Sequence, residues 1–312
     1  MLTHEPSGNE TQRMPRAVVN SIPATAEKVE LEYETIGSPT DSPLLLIMGF
    51  TAQLTLWPDG LCQMLADRGF YVIRFDNRDC GLSTKLDGVE FDLGAVMVAA
   101  LDDRPDLLPP VPYTLSDMAA DAAGLLDHLG IGAAHIMGAS MGGMIAQTFA
   151  LEYPQHTLSL VSIMSTPGDP EVSQPTPEAG AALLAPPPTE RAAYVENSIA
   201  SMVWQSKKYA NPDEVRAQAA LDFDRSFYPE GSARQLGAIY ASGRRSPLLP
   251  SLDTPTLVIH GRDDTLLPPS GGFRTAELIP GANLLFMADM GHDLPEPLWP
   301  VLVDAIVANA AR

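Results

Sequence analysis

The sequence predicts an α/β fold in which a mostly parallel central sheet is flanked by helices and interrupted by an inserted helical cap. Three observations predict it. Short continuous apolar runs, such as Leu44 to Met48 and Phe70 to Phe75, have the length and composition of strands buried on both faces. They alternate with stretches of helical period, the rhythm of strand–helix–strand units. From about Pro167 to Pro250 that rhythm stops, and proline-punctuated helical segments replace it before strands resume at Thr256. At 312 residues, 45% of them hydrophobic, the chain can hold one large α/β domain or two ordinary ones, with ample core.

Residues 1–16 are polar at first, lack the apolar run of a signal peptide, and are expected to form a mobile tail. Ala17 to Ile22 and Val29 to Ile36 read as strands. The second alternates Val29, Leu31 and Tyr33 with Glu30, Glu32 and Glu34, so one face should be buried and one wet. After Leu44 to Met48, Pro58 suits the first turn of a helix through Leu61, Met64 and Leu65, and Gly69 should stop it. Phe70 to Phe75 follows and ends in the polar loop Asp76 to Ser83, whose charges are expected to pair with one another.

Residues 86–112 read as an inserted loop or short helix. Thr114 and Asp117 fit a capping box ahead of an apolar stripe from Leu115 to Leu129. A strand at His135 leads to a turn at Ser140, and a helix from Met141 to Tyr153 is apolar nearly all round, so it should lie buried behind the sheet. Leu158 to Met164 is a further strand. Helices are expected near Thr189 to Trp204, Pro212 to Phe227 and Ser232 to Gly243, then strands at Thr256 to His260 and Asn283 to Met287, and a closing helix around Leu298 to Ile306. The core should therefore comprise residues 17–166 and 251–312, with the cap at 167–250.

The net charge of −20, with lysine only at Lys28, Lys85, Lys207 and Lys208, argues against a phosphate backbone as partner. No uninterrupted apolar stretch of about 18 residues is present, so no membrane partner is expected and the cytoplasm is the default location. Cys62 and Cys80 have neither metal-ligand nor redox spacing and read as reduced, structural thiols. No metal and no other cofactor is expected.

The chemistry centres on Gly138-Ala139-Ser140-Met141-Gly142. A serine at the tip of a sharp strand-to-helix turn needs nearly side-chain-free residues two positions before and after it, and the pattern is a nucleophile elbow. A serine hydroxyl is a weak nucleophile near neutral pH, so it needs a base, and the base needs an orienting carboxylate. In this architecture the acid and then the histidine come late in the chain. His292, after the last expected strand, is the candidate base. Asp264, in His260-Gly261-Arg262-Asp263-Asp264, is the preferred acid, with Asp263 second. Backbone amides of Met141, at a helix start, and Phe50, after the strand ending at Met48, are the candidate oxyanion hole.

These pieces together resemble the α/β-hydrolase superfamily, from about residue 17 to the end. The matching motifs are Ile47-Met48-Gly49-Phe50, Asp76-Asn77-Arg78-Asp79-x-Gly81-x-Ser83, the Ser140 elbow, His260-Gly261-x-x-Asp264 and Gly291-His292. Within the superfamily, Trp57-Pro58-Asp59 and Arg74 to Asp79 are similar to capped bacterial esterases related to aclacinomycin methylesterase. Met48 stands where many relatives have histidine, and Asp79 where glycine is commoner. The resemblance implies a cofactor-free serine hydrolase acting on a small to medium carboxylic ester through an acyl-enzyme. Alternatives are a C–C bond hydrolase or a haloperoxidase-like perhydrolase on the same triad, or a slow-hydrolysing ligand receptor. Oligomeric state is not encoded in any of these motifs.

Overall fold

A computed structural model describes residues 15–21 and 27–312, so residues 1–14 of the expected tail and Ile22 lie outside the described residues, while Arg16, expected in the tail, begins the first strand because it pairs with Glu32. The sheet is built from β1 (Arg16–Ser21), β2 (Lys28–Ile36), β3 (Ser42–Ile47) and, after α1 (Asp59–Ala66), β4 (Phe70–Phe75). Helices α2 (Leu93–Leu101) and α3 (Leu115–His128) precede β5 (Ala134–Ala139), and α4 (Met141–Glu152) leads to β6 (Thr157–Ile163). Four helices follow: α5 (Pro177–Leu184), α6 (Arg191–Asn197), α7 (Pro212–Arg225) and α8 (Gly231–Ser242). The sheet resumes with β7 (Thr256–Gly261), α9 (Ser270–Leu278), β8 (Asn283–Met287) and α10 (Trp299–Ala310).

The eight strands lie in the order β1-β2-β4-β3-β5-β6-β7-β8. β1 with β2 and β2 with β4 are antiparallel, whereas every pairing from β4 through β3 to β8 is parallel. Leu45 of β3 stands opposite Ile73 of β4 and Ile136 of β5. Because these strands run the same way, their carboxyl ends and the loops that follow them gather along one edge of the sheet.

The apolar run of β3 is buried on both faces, one side packing in a cluster with α3 and α4, the other with α1 and α10. Helix α4 is buried from Met141 through Ala150, as its unbroken apolar composition requires. Thr114 and Asp117 form both bonds of the capping box at the start of α3.

Three expectations need correction. In β2 the glutamate face is not simply wet: Glu32 is buried, because Arg16 pairs with it at 2.9 Å and the Ser83 hydroxyl accepts from its N–H at 2.9 Å. The charges after β4 do not pair with one another. Arg78 makes a two-pronged contact with Asp121 of α3, both bonds 2.6 Å, while Asp76 binds Arg225 at 2.7 Å and Asp79 binds Arg234 at 2.8 Å. Arg78 and Arg234 each face both oxygens of a carboxylate on another element, a paired contact that satisfies a fork-shaped guanidinium. The helix expected over 189–204 is α-helical only to Asn197 and tightens into a 3₁₀ segment over Ser198–Val203, while α5 and α9 form where no helix was expected.

Candidate active site

Ser140 lies between the end of β5 and the start of α4 with φ 58° and ψ −123°, a conformation that L-residues adopt only under constraint. The constraint is visible in its surroundings. Its N–H donates to Ile163 O of β6 at 2.9 Å, and its carbonyl accepts from Gly143 N–H and the Ser165 hydroxyl. The glycines are required by close approach: a Cβ on Gly142 would lie 1.9 Å from Ile47 O, and one on Gly138 would lie 2.0 Å from Gly142 O. The start of α4 is therefore pressed against both β3 and β5, and this sharp turn lifts Ser140 to the carboxyl edge.

Asp264 follows β7 and is buried. One oxygen accepts from the Leu266 and Leu267 N–H groups at 2.9 and 2.8 Å, and the other accepts from His292 Nδ1–H at 2.7 Å. Burial alone would raise this carboxyl; the charge of His292 and the hydrogen bonds from His260 and His292 outweigh it, and the group is held below the usual carboxylate range. With Nδ1 donating to the carboxylate, Nε2 of His292 is left as the basic nitrogen. Asp263 points elsewhere, with its carboxylate 3.7 Å from both Lys207 Nζ and Arg262 Nε. Among the described residues no hydrogen bond joins Ser140 Oγ to the imidazole; Ser140 follows β5 and His292 follows β8, two parallel strands whose carboxyl ends lie along the same sheet edge.

The loop after β3 runs directly beside the serine. A Cβ on Gly49 would lie 3.0 Å from Ser140 Cβ and 3.5 Å from Oγ. Phe50 follows Gly49, and Met141 is the first residue of α4, so its N–H has no acceptor within the helix. Asn77, the residue after Asp76 at the end of β4, donates from Nδ2 to Met48 O at 2.9 Å.

His135, His156 and His260 have structural partners. His135 lies between Ser42 and Ser159 hydroxyls, and His156 bonds Gly132 O. His260, fully buried, bonds Leu267 O at 2.7 Å and stands 3.4 Å from Asp264. Cys62 and Cys80 are free and buried, and burial pushes the Cys62 thiol up to about 11 and that of Cys80 well above its usual value. Of the two residues that hold the loop after β3, Asn77 stood in the sequence only as part of the Asp76-Asn77-Arg78-Asp79 motif, and Gln235 carried no signal.

Residues 42–296 match the family described as alpha/beta hydrolase fold, and the chain belongs to that family of hydrolytic enzymes. Among its relatives is rhodomycin D methylesterase DauP of Streptomyces sp. (strain C5), 29% identical over 309 residues that cover 91% of this chain and 96% of that protein. A 2-hydroxy-6-oxononadienedioate/2-hydroxy-6-oxononatrienedioate hydrolase of Burkholderia vietnamiensis is 33% identical over 184 residues, covering 54% of this chain and 59% of its own. The solved enol-lactonase of Burkholderia xenovorans shares the fold, with a TM-score of 0.70 at 23% identity over 96% of this chain and all of that one. Among the described residues no helix is long and apolar enough to cross a membrane.

Proposed function

We propose that the chain hydrolyses small to medium carboxylic esters through an acyl-enzyme. Ser140 attacks the ester carbonyl while His292 Nε2 takes its proton; the tetrahedral oxyanion rests on the amides of Phe50 and Met141. His292 then returns the proton to the leaving alcohol, and a water activated by the same imidazole releases the acid. Asp264 holds the ring and offsets the charge of the imidazolium. The observation that carries this reading is the 2.7 Å bond from His292 Nδ1 to a buried, otherwise satisfied Asp264, on the same sheet edge as a serine held at φ 58°. The likeness to DauP supports a methyl ester as substrate, with methanol as the leaving alcohol, and residues 167–250, which carry α5–α8, as the cap. Two buried free thiols fit a reducing compartment such as the cytoplasm.

Hydrolysis of p-nitrophenyl and methyl esters from acetate to decanoate, by the wild type beside Ser140→Ala, tests the reading. Turnover should fall by roughly a millionfold in the variant. Equal turnover in both proteins would remove Ser140 from the mechanism. The partial likeness to a C–C bond hydrolase supports one alternative, which predicts inertness toward simple esters and cleavage of a vinylogous diketone.

A further inference from the structure

The loop that carries the Phe50 amide is held from three sides. Asn77 Nδ2 donates to Met48 O, the Cys80 thiol donates to Thr51 O at 3.2 Å, and Thr51 N–H donates to Gln235 Oε1 at 2.7 Å. The first two anchors come from the loop after β4, within the sheet's own framework. The third comes from α8, in the helical insertion. Thr51 has φ 56°, a left-handed conformation that a β-branched residue rarely adopts, so something must hold it there. Gln235 is suited to do so. It is fully buried, and its Nε2 donates to Arg78 O at 2.9 Å, so both ends of the amide are occupied and the carbonyl oxygen can face only Thr51. The preceding residue, Arg234, is clamped by two bonds to Asp79, which fixes this turn of α8 on the loop after β4.

We propose that Gln235 is a positioning residue for the oxyanion hole: by holding Thr51 N–H it fixes the peptide that follows Phe50, and so aims the Phe50 amide at the developing oxyanion. The insertion is then more than a cover over the site, since one of its helices completes the donor geometry. A displaced donor matters most where negative charge builds up, so the loss falls on kcat and leaves KM nearly unchanged. This inference rests on the ester-hydrolase reading.

The test compares full-length wild type with Gln235→Met, which keeps the length but cannot bind Thr51, and Gln235→Glu assayed as the neutral acid that this fully buried position favours, which can accept from Thr51 N–H and donate to Arg78 O. Competent serines are counted by complete fluorophosphonate labelling, and kcat for p-nitrophenyl butyrate is expressed per labelled site. The Met variant should lose roughly ten- to hundredfold in kcat, with KM within about threefold, and inhibition by phenylboronic acid, which forms a tetrahedral serine adduct, should weaken in parallel. The Glu variant should recover at least half of that loss on a logarithmic scale. A Met variant within about twofold of wild type, undiminished boronate binding, or a Glu variant as impaired as Met would overturn the proposal. Should the Met variant not fold, amide exchange in the wild type decides. The Thr51 amide should exchange as slowly as those of Leu236 and Ala238, and exchange at the rate of a free loop would overturn the contact. Absence of ester turnover in the wild type would instead remove the ester-hydrolase reading, and the exchange result would still stand on its own.

Discussion

The central strands and the inserted helices are secured by different forces. Every residue of β5 is buried, as are Leu44 to Ile47 of β3, so their stability comes from apolar area removed from water and from close packing. By contrast α6 buries no residue and α7 buries only Ala219. Beside the burial of Leu236 and Ala238 in α8, polar contacts tie the insertion down: Arg225 to Asp76, Arg234 to Asp79, Gln235 to Thr51, and His292 N–H to Trp204 O at 2.6 Å. The Asp293 carboxylate adds two bonds, from Ser206 N–H and Gly291 N–H, both 3.0 Å. Ser140, the proposed nucleophile, thus stands between two buried elements, β5 and α4. The loops on either side of it depend on directional contacts that a single substitution can remove.

Substitutions can break or sharpen this contrast. The largest effect short of removing the nucleophile belongs to Asp264. Asp264→Asn should keep the fold yet lower kcat by about ten-thousandfold, because the imidazole loses its orienting acceptor and the stabiliser of its charged form; kcat within tenfold of wild type would argue that another group fills that role. The same carboxylate links stability to pH. Its folded-state value lies below the unfolded one, so its contribution is complete above about pH 4 and is lost as the pH falls through the folded value. The melting temperature of wild type should therefore drop more steeply from pH 5 to 3 than that of Asp264→Asn. Parallel curves would contradict the assignment.

A smaller effect is expected at the polar seam. Asp79→Ala leaves the Arg234 guanidinium buried without its carboxylate and should cost about 3–5 kcal/mol in urea unfolding. In the packed sheet, Leu45→Ala should cost a similar 2–5 kcal/mol or so by leaving a cavity. Leu221→Ala, on the outer face of α7, should change stability by less than about 0.5 kcal/mol. Equal costs at Leu45 and Leu221 would show that the insertion packs as the core does.

The parts legible in the sequence are those governed by local rules. Glycine spacing marks the turn at Ser140, the unbroken apolar run marks β3, and Thr114 with Asp117 marks the start of α3, because each depends on residues a few positions apart. What was not legible depends on distant partners. Asp76, Arg78 and Asp79 look in sequence like a self-paired cluster, yet their partners lie on α7, α3 and α8. Helix α9 begins Ser270-Gly271-Gly272, a poor helix-forming start in sequence, yet its glycines let it dock where a Cβ would lie 2.0 Å from Ser173 Oγ or 2.4 Å from His260 Nδ1. Gln235 carries no motif at all; only the folded arrangement of α8 against the loop after β3 sets it beside Thr51.

The central claim is that Ser140 is the acylated nucleophile, and intact-mass analysis after fluorophosphonate treatment tests it most directly. The account predicts one adduct per chain, mapped to the peptide containing Ser140, and none in Ser140→Ala. An adduct that persists in Ser140→Ala, or a wild type that takes up none, would contradict it.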